Sequence, residues 1–579
     1  MILELPVTDS LVSPHPSRLH LAAGSDVDEF VANLAAFERG ELSADDWRRF
    51  RRLRGVYDQR QDGRSMIRVK VPGGAITAAQ LRTIADVAAR HAGGIAHVTT
   101  RQCFQLHFVP TPQVDAALAT LAAGGLTTRE ACGDSVRNVT TCPLAGVSAD
   151  EPFDVSPYVD AIVRHFLRGP WSSKLPRKLK PSIGGCCGGD CSQAFINDLG
   201  LLATTAADGA PGFRLIAGGG LGTLRRSAIV LDEFVPAAEV LAAAEAVVRV
   251  FHHHGNRDNR AKARLKWAID KLGADRVREL YVAERATIAA EGGRPYAPIA
   301  LPPPPPRPRL PLAATPRPGF AAWAAVAVAP QRQAGYAIAR VRVPLGDLTS
   351  GQLRALAAIV DTHADGELRT TNDQDVVLRW LPNDRLPLVH AALVDAGLAL
   401  TGAGTIVDVT SCPGATSCQL AVTTSRGAAR TLTDALAQAP ALVAAAPDLT
   451  IKISGCPNSC GQHHVAAIGL QGGVRKLDGR VVPQYLLHVG GATTPTGARF
   501  GRLVAKIPAR RLPAAIAALA ALVARERRPG EAAADVLHRQ DDAALDAALA
   551  GLGELTAADA TAADFVDLDD GETRHVAAA

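Results

Sequence analysis

The stretch Met66-Ile-Arg-Val-Lys-Val alternates apolar with charged side chains and runs into Pro72-Gly73-Gly74, a pattern that predicts a strand closed by a turn. Leu81, Ile84, Ala85, Val87 and Ala88 then recur at helical spacing, so a helix is expected over Ala79 to Ala89. His97 to Val109 returns to strand character, and a second helix is expected near Val114 to Leu121. Strand, helix, strand, helix in this order describes a small α+β layer. Two further amphipathic helices are expected, over Asp232 to Phe251 and over Pro513 to Arg528.

The pattern repeats at long range. His97-Val-Thr-Thr-Arg-Gln faces Leu368-Arg-Thr-Thr-Asn-Asp, and Val139-Thr-Thr-Cys-Pro faces Val409-Thr-Ser-Cys-Pro. Phe213-Arg-Leu-Ile-Ala-Gly-Gly faces Tyr485-Leu-Leu-His-Val-Gly-Gly. A nearly constant offset of about 270 residues reads as a tandem duplication, unlike the 20–50-residue period of a solenoid. Residues 293–319, which include Leu301-Pro-Pro-Pro-Pro-Pro-Arg, form a proline-rich linker of polyproline character between the halves.

Composition sets limits. The chain of 579 residues is 47% hydrophobic, enough for several folded domains and against disorder. No apolar run is long enough to cross a bilayer, and no membrane or nucleic-acid partner is expected. The first residues lack a basic segment followed by an apolar one, so the cytoplasm is the expected location. Charge is unevenly placed. The whole chain carries +5, residues 531–579 form an acidic tail of net −10, and the remainder is therefore strongly basic. A basic body fits an acidic partner or anionic ligands, and the tail is expected to compete for the same surface. Within the tail, Leu545, Leu549 and Leu552 allow a short helix, and Asp564 to Glu572 reads as extended.

The 10 cysteines are too few for a disulfide scaffold and are clustered, which favours metal or redox chemistry. Cys412 and Cys418 are separated by five residues, and Cys456 and Cys460 by three. Four thiolates at these spacings suit a [4Fe–4S] cube or a tetrahedral zinc, and the five-residue gap counts against zinc. Pro413, Gly414, Gly455 and Pro457 suit backbone that curls around a cluster. The first half holds an incomplete echo. Cys142 matches Cys412, Ser148 stands in place of Cys418, and Cys187 and Cys191 match Cys456 and Cys460; this set reads as a vestige. Cys103, Cys132 and Cys186 read as core or loop residues, and His252-His253-His254 as the surface end of a helix.

Arg68, Arg101, Arg137, Arg177, Lys178 and Lys180 sit in strand-like or glycine-rich sequence, where a charge must be paired with something. The motifs MIRVKVPGG at 66–74, TTRQCFQLHF at 99–108, ACGDSVRNV at 131–139, LPRKLK at 175–180, GGGLG at 218–222 and GNRDNRAKARLK at 255–266, with both cysteine motifs, run in one order along the chain. In that order the chain resembles the siroheme sulfite and nitrite reductases, most of all the ferredoxin-dependent assimilatory sulfite reductases, over residues 54–528.

The resemblance implies an α+β fold of two pseudo-twofold-related halves. Each half would hold a ferredoxin-like subdomain and a siroheme- and cluster-binding domain. The expected boundaries are an N-terminal extension at 1–50, ferredoxin-like half-domains at 51–122 and 320–400, and cofactor domains at 123–292 and 401–530. It implies siroheme and a [4Fe–4S] cluster on Cys412, Cys418, Cys456 and Cys460, with Cys460 bridging to the haem iron. Substrate would meet Arg68, Arg137, Lys178 and Lys180. Haem carboxylates would meet Thr99, Arg101, Gln105, Arg177 and Gln374, and Asn458 would shape the cluster loop. His97 stands where some members carry an arginine. Tyr57 and Cys132 lie near Arg68 and Arg137 in sequence, so that phenol and thiol would meet beside the haem if both enter the pocket.

Lys178-Leu-Lys180 is the sulfite form of its motif, where nitrite enzymes often show asparagine at the second lysine. The expected reaction is therefore six-electron reduction of sulfite to sulfide, with nitrite reduction as the alternative and a non-catalytic electron carrier as a third reading. Gly218-Gly-Gly-Leu-Gly lacks the spacing of a dinucleotide-binding loop, so electrons are expected from a separate protein, ferredoxin or else a flavoprotein reductase.

Overall fold

The computed structural model describes residues 19–185, 190–296 and 315–568. Most of the linker, Cys186, Cys187 and the last eleven residues of the tail lie outside the described residues. Four five-stranded sheets carry the architecture, two in each half.

The ferredoxin-like sheet of the first half runs Val56–Asp58, Arg64–Val69, Phe104–Pro110, Ile95–Val98 and then Asp347–Thr349, all antiparallel. Its last strand comes from the second half. Reciprocally, Ala75–Thr77 of the first half completes the sheet of Val328–Pro330, Tyr336–Val341, Val376–Pro382 and Glu367–Thr370. The halves therefore exchange edge strands about their pseudo-twofold axis. Each crossing strand is preceded by a glycine at positive φ, Gly74 at 72° and Gly346 at 73°. A Cβ on Gly74 would lie 2.3 Å from the Thr370 carbonyl, and one on Gly346 2.6 Å from that of Val98. Both sites therefore require glycine.

Each exchanged strand ends in a capping box, Thr77 with Gln80 and Thr349 with Gln352, that starts the helices Ala78–His91 and Ser350–His363. Leu81, Ile84 and Val87 of one helix and Leu353, Leu356 and Val360 of the other bury in a single core shared by both halves. The N-terminal helices Gly24–Glu38 and Ala44–Leu53 join this core through Phe30 and Phe50.

The two cofactor domains repeat the same sheet. In the first, Thr140–Thr141, Pro181–Gly184 and Leu199–Thr205 are parallel, and Pro211–Ala217 and Ile229–Pro236 follow antiparallel. The second uses Thr410–Ser411, Ile451–Ser454, Ile468–Leu477, Arg480–Val489 and Arg502–Pro508 in the same order and sense.

Three expectations need correction. His97 to Val109 is a hairpin, two strands separated by a turn at Thr99–Cys103. Asp232 to Phe251 is not one helix: Ile229–Pro236 is a strand ended by its proline, Ala237–Glu239 is a 3-10 turn, and the α-helix begins at Val240 and runs to His254. The repeat in the ferredoxin-like halves is one residue out of the expected register. The turn on Thr99 matches the turn on Thr371, since each threonine hydroxyl accepts the backbone N–H groups two and four residues on.

The acidic tail is not a loose competitor over its described length. The helices Ala533–Arg539 and Asp542–Ala548 pack Val536, Leu537, Leu545 and Leu549 into the core of the second cofactor domain. Arg499 pairs with Asp535 at 2.6 Å, Arg480 lies over the Phe565 ring at 3.5 Å, and Asp567 accepts the Thr424 N–H at 2.7 Å. The segment expected to be extended begins with a short turn over Ala562–Phe565. No helix among the described residues is long and apolar enough to cross a membrane.

Candidate active site

Alternation along the first sheet places a polar row on one face. Ile67 and Val69 are buried in the shared core, which turns Arg68 to the other side. Arg68 stands opposite Gln105, Gln105 opposite His97, and His97 opposite Asp347 of the exchanged strand. The His97 Nδ1–H donates to Asp347 at 2.8 Å, its Nε2 lies 3.1 Å from the Gln374 amide nitrogen, and Asp347 also binds Arg426. Burial first, then Arg426, His107 and Arg68, holds His97 well below its usual pKa, so it is a neutral link in this row. Gln105 is buried with its amide against the Met66 sulfur at 3.3 Å.

The second wall comes from the first cofactor domain. Arg137 is anchored by the carbonyls of Ala131 at 2.9 Å and Gly133 at 3.0 Å. Its backbone N–H binds Leu179, whose side chain is fully buried, and this turns Lys178 and Lys180 away from the core. Among the described residues no carboxylate lies within ion-pair distance of Arg68, Arg137, Lys178 or Lys180. Burial and then Arg264, Arg137 and Arg177 push the Lys178 ammonium down to about 7. Burial, Lys178, Arg264 and Arg101 likewise push Lys180 well below its usual value. Arg68 resists: burial opposes its charge, but Cys132, Cys103, Tyr57 and Cys460 around it favour it and raise its pKa. The Tyr57 hydroxyl accepts the Gly133 N–H at 3.3 Å.

Arg101 is locked below this wall by Asn197 at 2.6 Å and by the carbonyls of Asn138 and Pro181 at 2.6 and 3.1 Å, with burial lowering it to about 10. Arg177 is drawn off to the rim by Asp134 at 3.3 Å. Gln374 is a strut. Its amide donates to Val98 at 3.0 Å, meets His97, and accepts the Ser411 N–H at 2.9 Å, which leaves no donor for a haem carboxylate. Gln102 makes the mirror-image bonds to Thr141 and Thr370. The Thr99 oxygen is taken by two backbone N–H groups, and its own proton is not used by them.

The four cysteines converge from two loops. Backbone N–H groups of Gly414 and Gly455 point at Cys412, those of Leu420 and Ala421 at Cys418, and the backbone and side chain of Asn458 at Cys456. Burial raises all three thiols, Cys412 to about 12, so they become thiolates only where a metal displaces the proton. No three of the four sulfurs lie within 4.8 Å of one another. A zinc tetrahedron with Zn–S of about 2.3 Å needs them about 3.8 Å apart, whereas a cube accommodates a wider set. Cys460 is exposed, beside Arg68 and Lys178, and its carbonyl accepts the Thr100 hydroxyl at 2.8 Å. The cysteine set thus fits a [4Fe–4S] cluster, and the neighbouring wall of cations, with Arg68 and Lys178 beside Cys460, fits a polycarboxylate haem and an anionic substrate.

Several contributors were not singled out from sequence. Arg264 grips Asp198 at 2.8 Å and stands behind both lysines. Arg60 ties the cluster loop to the first half through the Ala421 carbonyl at 2.7 Å. Gln193 and Gln462, equivalent in the repeat, bond to each other at 2.9 Å. Only the order of the GNRDNRAKARLK motif signalled Arg264, and nothing local signalled the others. Cys187 lies outside the described residues.

Known proteins match along the whole architecture. The nitrite and sulphite reductase 4Fe-4S domain matches residues 132–288 and 402–541, and the nitrite/sulfite reductase ferredoxin-like half domain matches 57–124 and 329–396. A ferredoxin–nitrite reductase of Synechococcus elongatus is 33% identical, over 74% of this chain and 80% of its own. A ferredoxin sulfite reductase of Mycolicibacterium paratuberculosis is 32% identical, over 74% of this chain and 73% of its own. The solved structure of the Mycobacterium tuberculosis NirA protein superposes with a TM-score of 0.74 at 28% identity, covering 90% of this chain and 97% of that one. On this sequence and fold evidence the chain belongs to the nitrite and sulfite reductase family, enzymes built around a siroheme and a [4Fe–4S] cluster.

Proposed function

We propose that this enzyme reduces sulfite to sulfide with electrons from a ferredoxin. The observation that carries the reading is the cation quartet, Arg68, Arg137, Lys178 and Lys180, two of which, Arg68 and Lys178, lie beside Cys460, and none of which has a carboxylate within ion-pair distance among the described residues. Dense positive charge in a half-buried site is what a small oxyanion needs. When bound, the cluster and siroheme would pass electrons from the donor protein to the anion. Cys412, Cys418, Cys456 and Cys460 would hold the cluster, and Asn458 would shape its loop. Thr99, Arg101 and Gln105 would line the haem side, with Arg177 at the rim.

The arginines, permanently charged, hold the anion. The lysines hold protons that the reduction consumes. Lys178, lowered to about 7 by burial and its cationic neighbours, is poised to give a proton near neutral pH. An anion in the site opposes that lowering and draws a proton in as it binds.

Ferredoxin is named for the nitrite and sulfite reductases to which the chain is similar, and the basic body suits an acidic donor. Nitrite reduction to ammonia is the second reading, favoured by the ferredoxin–nitrite reductases of Synechococcus elongatus and Zea mays among its relatives. Lys180→Asn separates the two. Sulfite turnover should fall more than nitrite turnover, because sulfite needs more charge compensation as S–O bonds break. An equal loss on both anions removes the reason for preferring sulfite.

A further inference from the structure

Three histidines outside the cysteine cradle have no part in the chemistry above. His463 and His464 open a short turn after Cys460, and His488 lies on the strand Arg480–Val489. All three are buried, at 0%, 2% and 4% exposure, and their ring nitrogens approach within 4.8 Å of one another. Neither nitrogen of His463 or His464, nor Nε2 of His488, has a hydrogen-bond partner of normal geometry. The Gln471 side chain lies beside His463 and the Gly222 carbonyl beside His464, while His488 Nδ1 is 3.4 Å from the Gly501 carbonyl. Buried polar atoms are rarely left without a well-aligned partner, so these nitrogens, with at most Gln471 and the Gly222 carbonyl nearby, call for an explanation.

The duplication within the chain supplies a control. The first half builds the same turn and the same strand pair. Gln193 and Gln462 enter the two turns at φ of 55° and 62°. Gly200 pairs with Ile216 where Gly469 pairs with His488. At the positions of His463, His464 and His488 the first half carries Ala194, Phe195 and Ile216, which pack as an apolar cluster with Ala228. The fold therefore needs no imidazole here, and the second half has replaced good packing by three neutral rings.

We propose that His463, His464 and His488 form a second metal site that takes zinc through three imidazoles. Burial keeps the rings unprotonated, His463 at about 2 and His464 at about 3, so no proton competes at neutral pH. The charged groups facing the cluster are Arg225 and Lys266, the latter held by the Leu221 and Leu224 carbonyls. With no carboxylate in the set, a hard cation such as magnesium or calcium finds no oxygen ligands. Zinc, which binds neutral imidazole strongly, suits the donors. Because the turn follows Cys460 by three residues and the strand lies across the sheet, the bound ion would staple the cluster loop to that sheet.

The test uses the holoenzyme. After treatment with a mild chelator it is dialysed against zinc, and zinc and iron are measured together by elemental mass spectrometry. The expected result is one zinc per chain above the iron, with the visible spectrum unchanged. The variant His463→Ala, His464→Phe, His488→Ile installs the residues that the first half already tolerates, and it should lose the zinc while keeping its iron. Zinc X-ray absorption on the unmodified enzyme gives an independent reading and should report light nitrogen or oxygen ligands, imidazole scattering among them, and no sulfur. No stoichiometric zinc, retention by the triple variant, or sulfur among the zinc ligands each overturns the proposal.

Discussion

Replacing Arg137 by alanine tests whether the four cations act as one field. The guanidinium is held by two carbonyls, at 2.9 and 3.0 Å, which leaves its remaining N–H groups for an anion. A hydrogen bond to a charged partner contributes about 1.5–3 kcal/mol. Arg137→Ala should therefore raise KM for sulfite and for nitrite roughly 10- to 150-fold at unchanged cofactor content. Arg137→Lys keeps the charge but cannot grip both carbonyls, and should fall between. A second effect has a definite sign. After burial and Arg264, Arg137 is the next influence that lowers Lys178 to about 7. Removing a positive neighbour favours the ammonium, so the Lys178 pKa rises in the variant. Anion binding, which fades as Lys178 loses its proton, should persist to higher pH than in the unmodified enzyme. Steady-state KM measured from about pH 6 to 9 with a small-molecule reductant reads both effects. An unchanged KM, or a fade that moves to lower pH, refutes the reasoning.

Two further outcomes follow from the architecture. Gln102→Ala strips partners from the Thr141 N–H, the Thr141 carbonyl and the Thr370 carbonyl, all buried, and should destabilise by about 2–5 kcal/mol, seen as a lower denaturant midpoint; an unchanged midpoint means that the tie between halves is dispensable. Deleting residues 531–579 uncovers the core beneath Val536, Leu537, Leu545 and Leu549, so the thermal midpoint should drop while KM for ferredoxin does not fall; Leu537→Ala alone should cost about 2–5 kcal/mol, and a truncated chain as stable as the full one contradicts the packing.

Much of this was legible in the sequence because the informative signals are local. The cysteine spacings, the alternation that turns Arg68 off the core, and the lysines flanking buried Leu179 each occupy a few residues. The duplication was legible too, although only the structure corrects its register to Thr99 against Thr371. What escaped is what two distant segments do together. The strands Ala75–Thr77 and Asp347–Thr349 are three residues each, too short for a period, and their partners lie in the other half. Gln374 has the composition of a ligand contact, yet three protein bonds occupy its amide. The tail's acidity suggested a free competitor, but its spaced leucines and valine bury in the second half. His463 and His464 became notable only when the fold brought His488 beside them.

The central claim is tested most directly by the product. The holoenzyme with reduced ferredoxin should be given sulfite and nitrite in separate and in competing assays, with sulfide and ammonium measured. The account predicts sulfide formation with kcat/KM for sulfite above that for nitrite. Ammonium formation with sulfite left unreduced would contradict it.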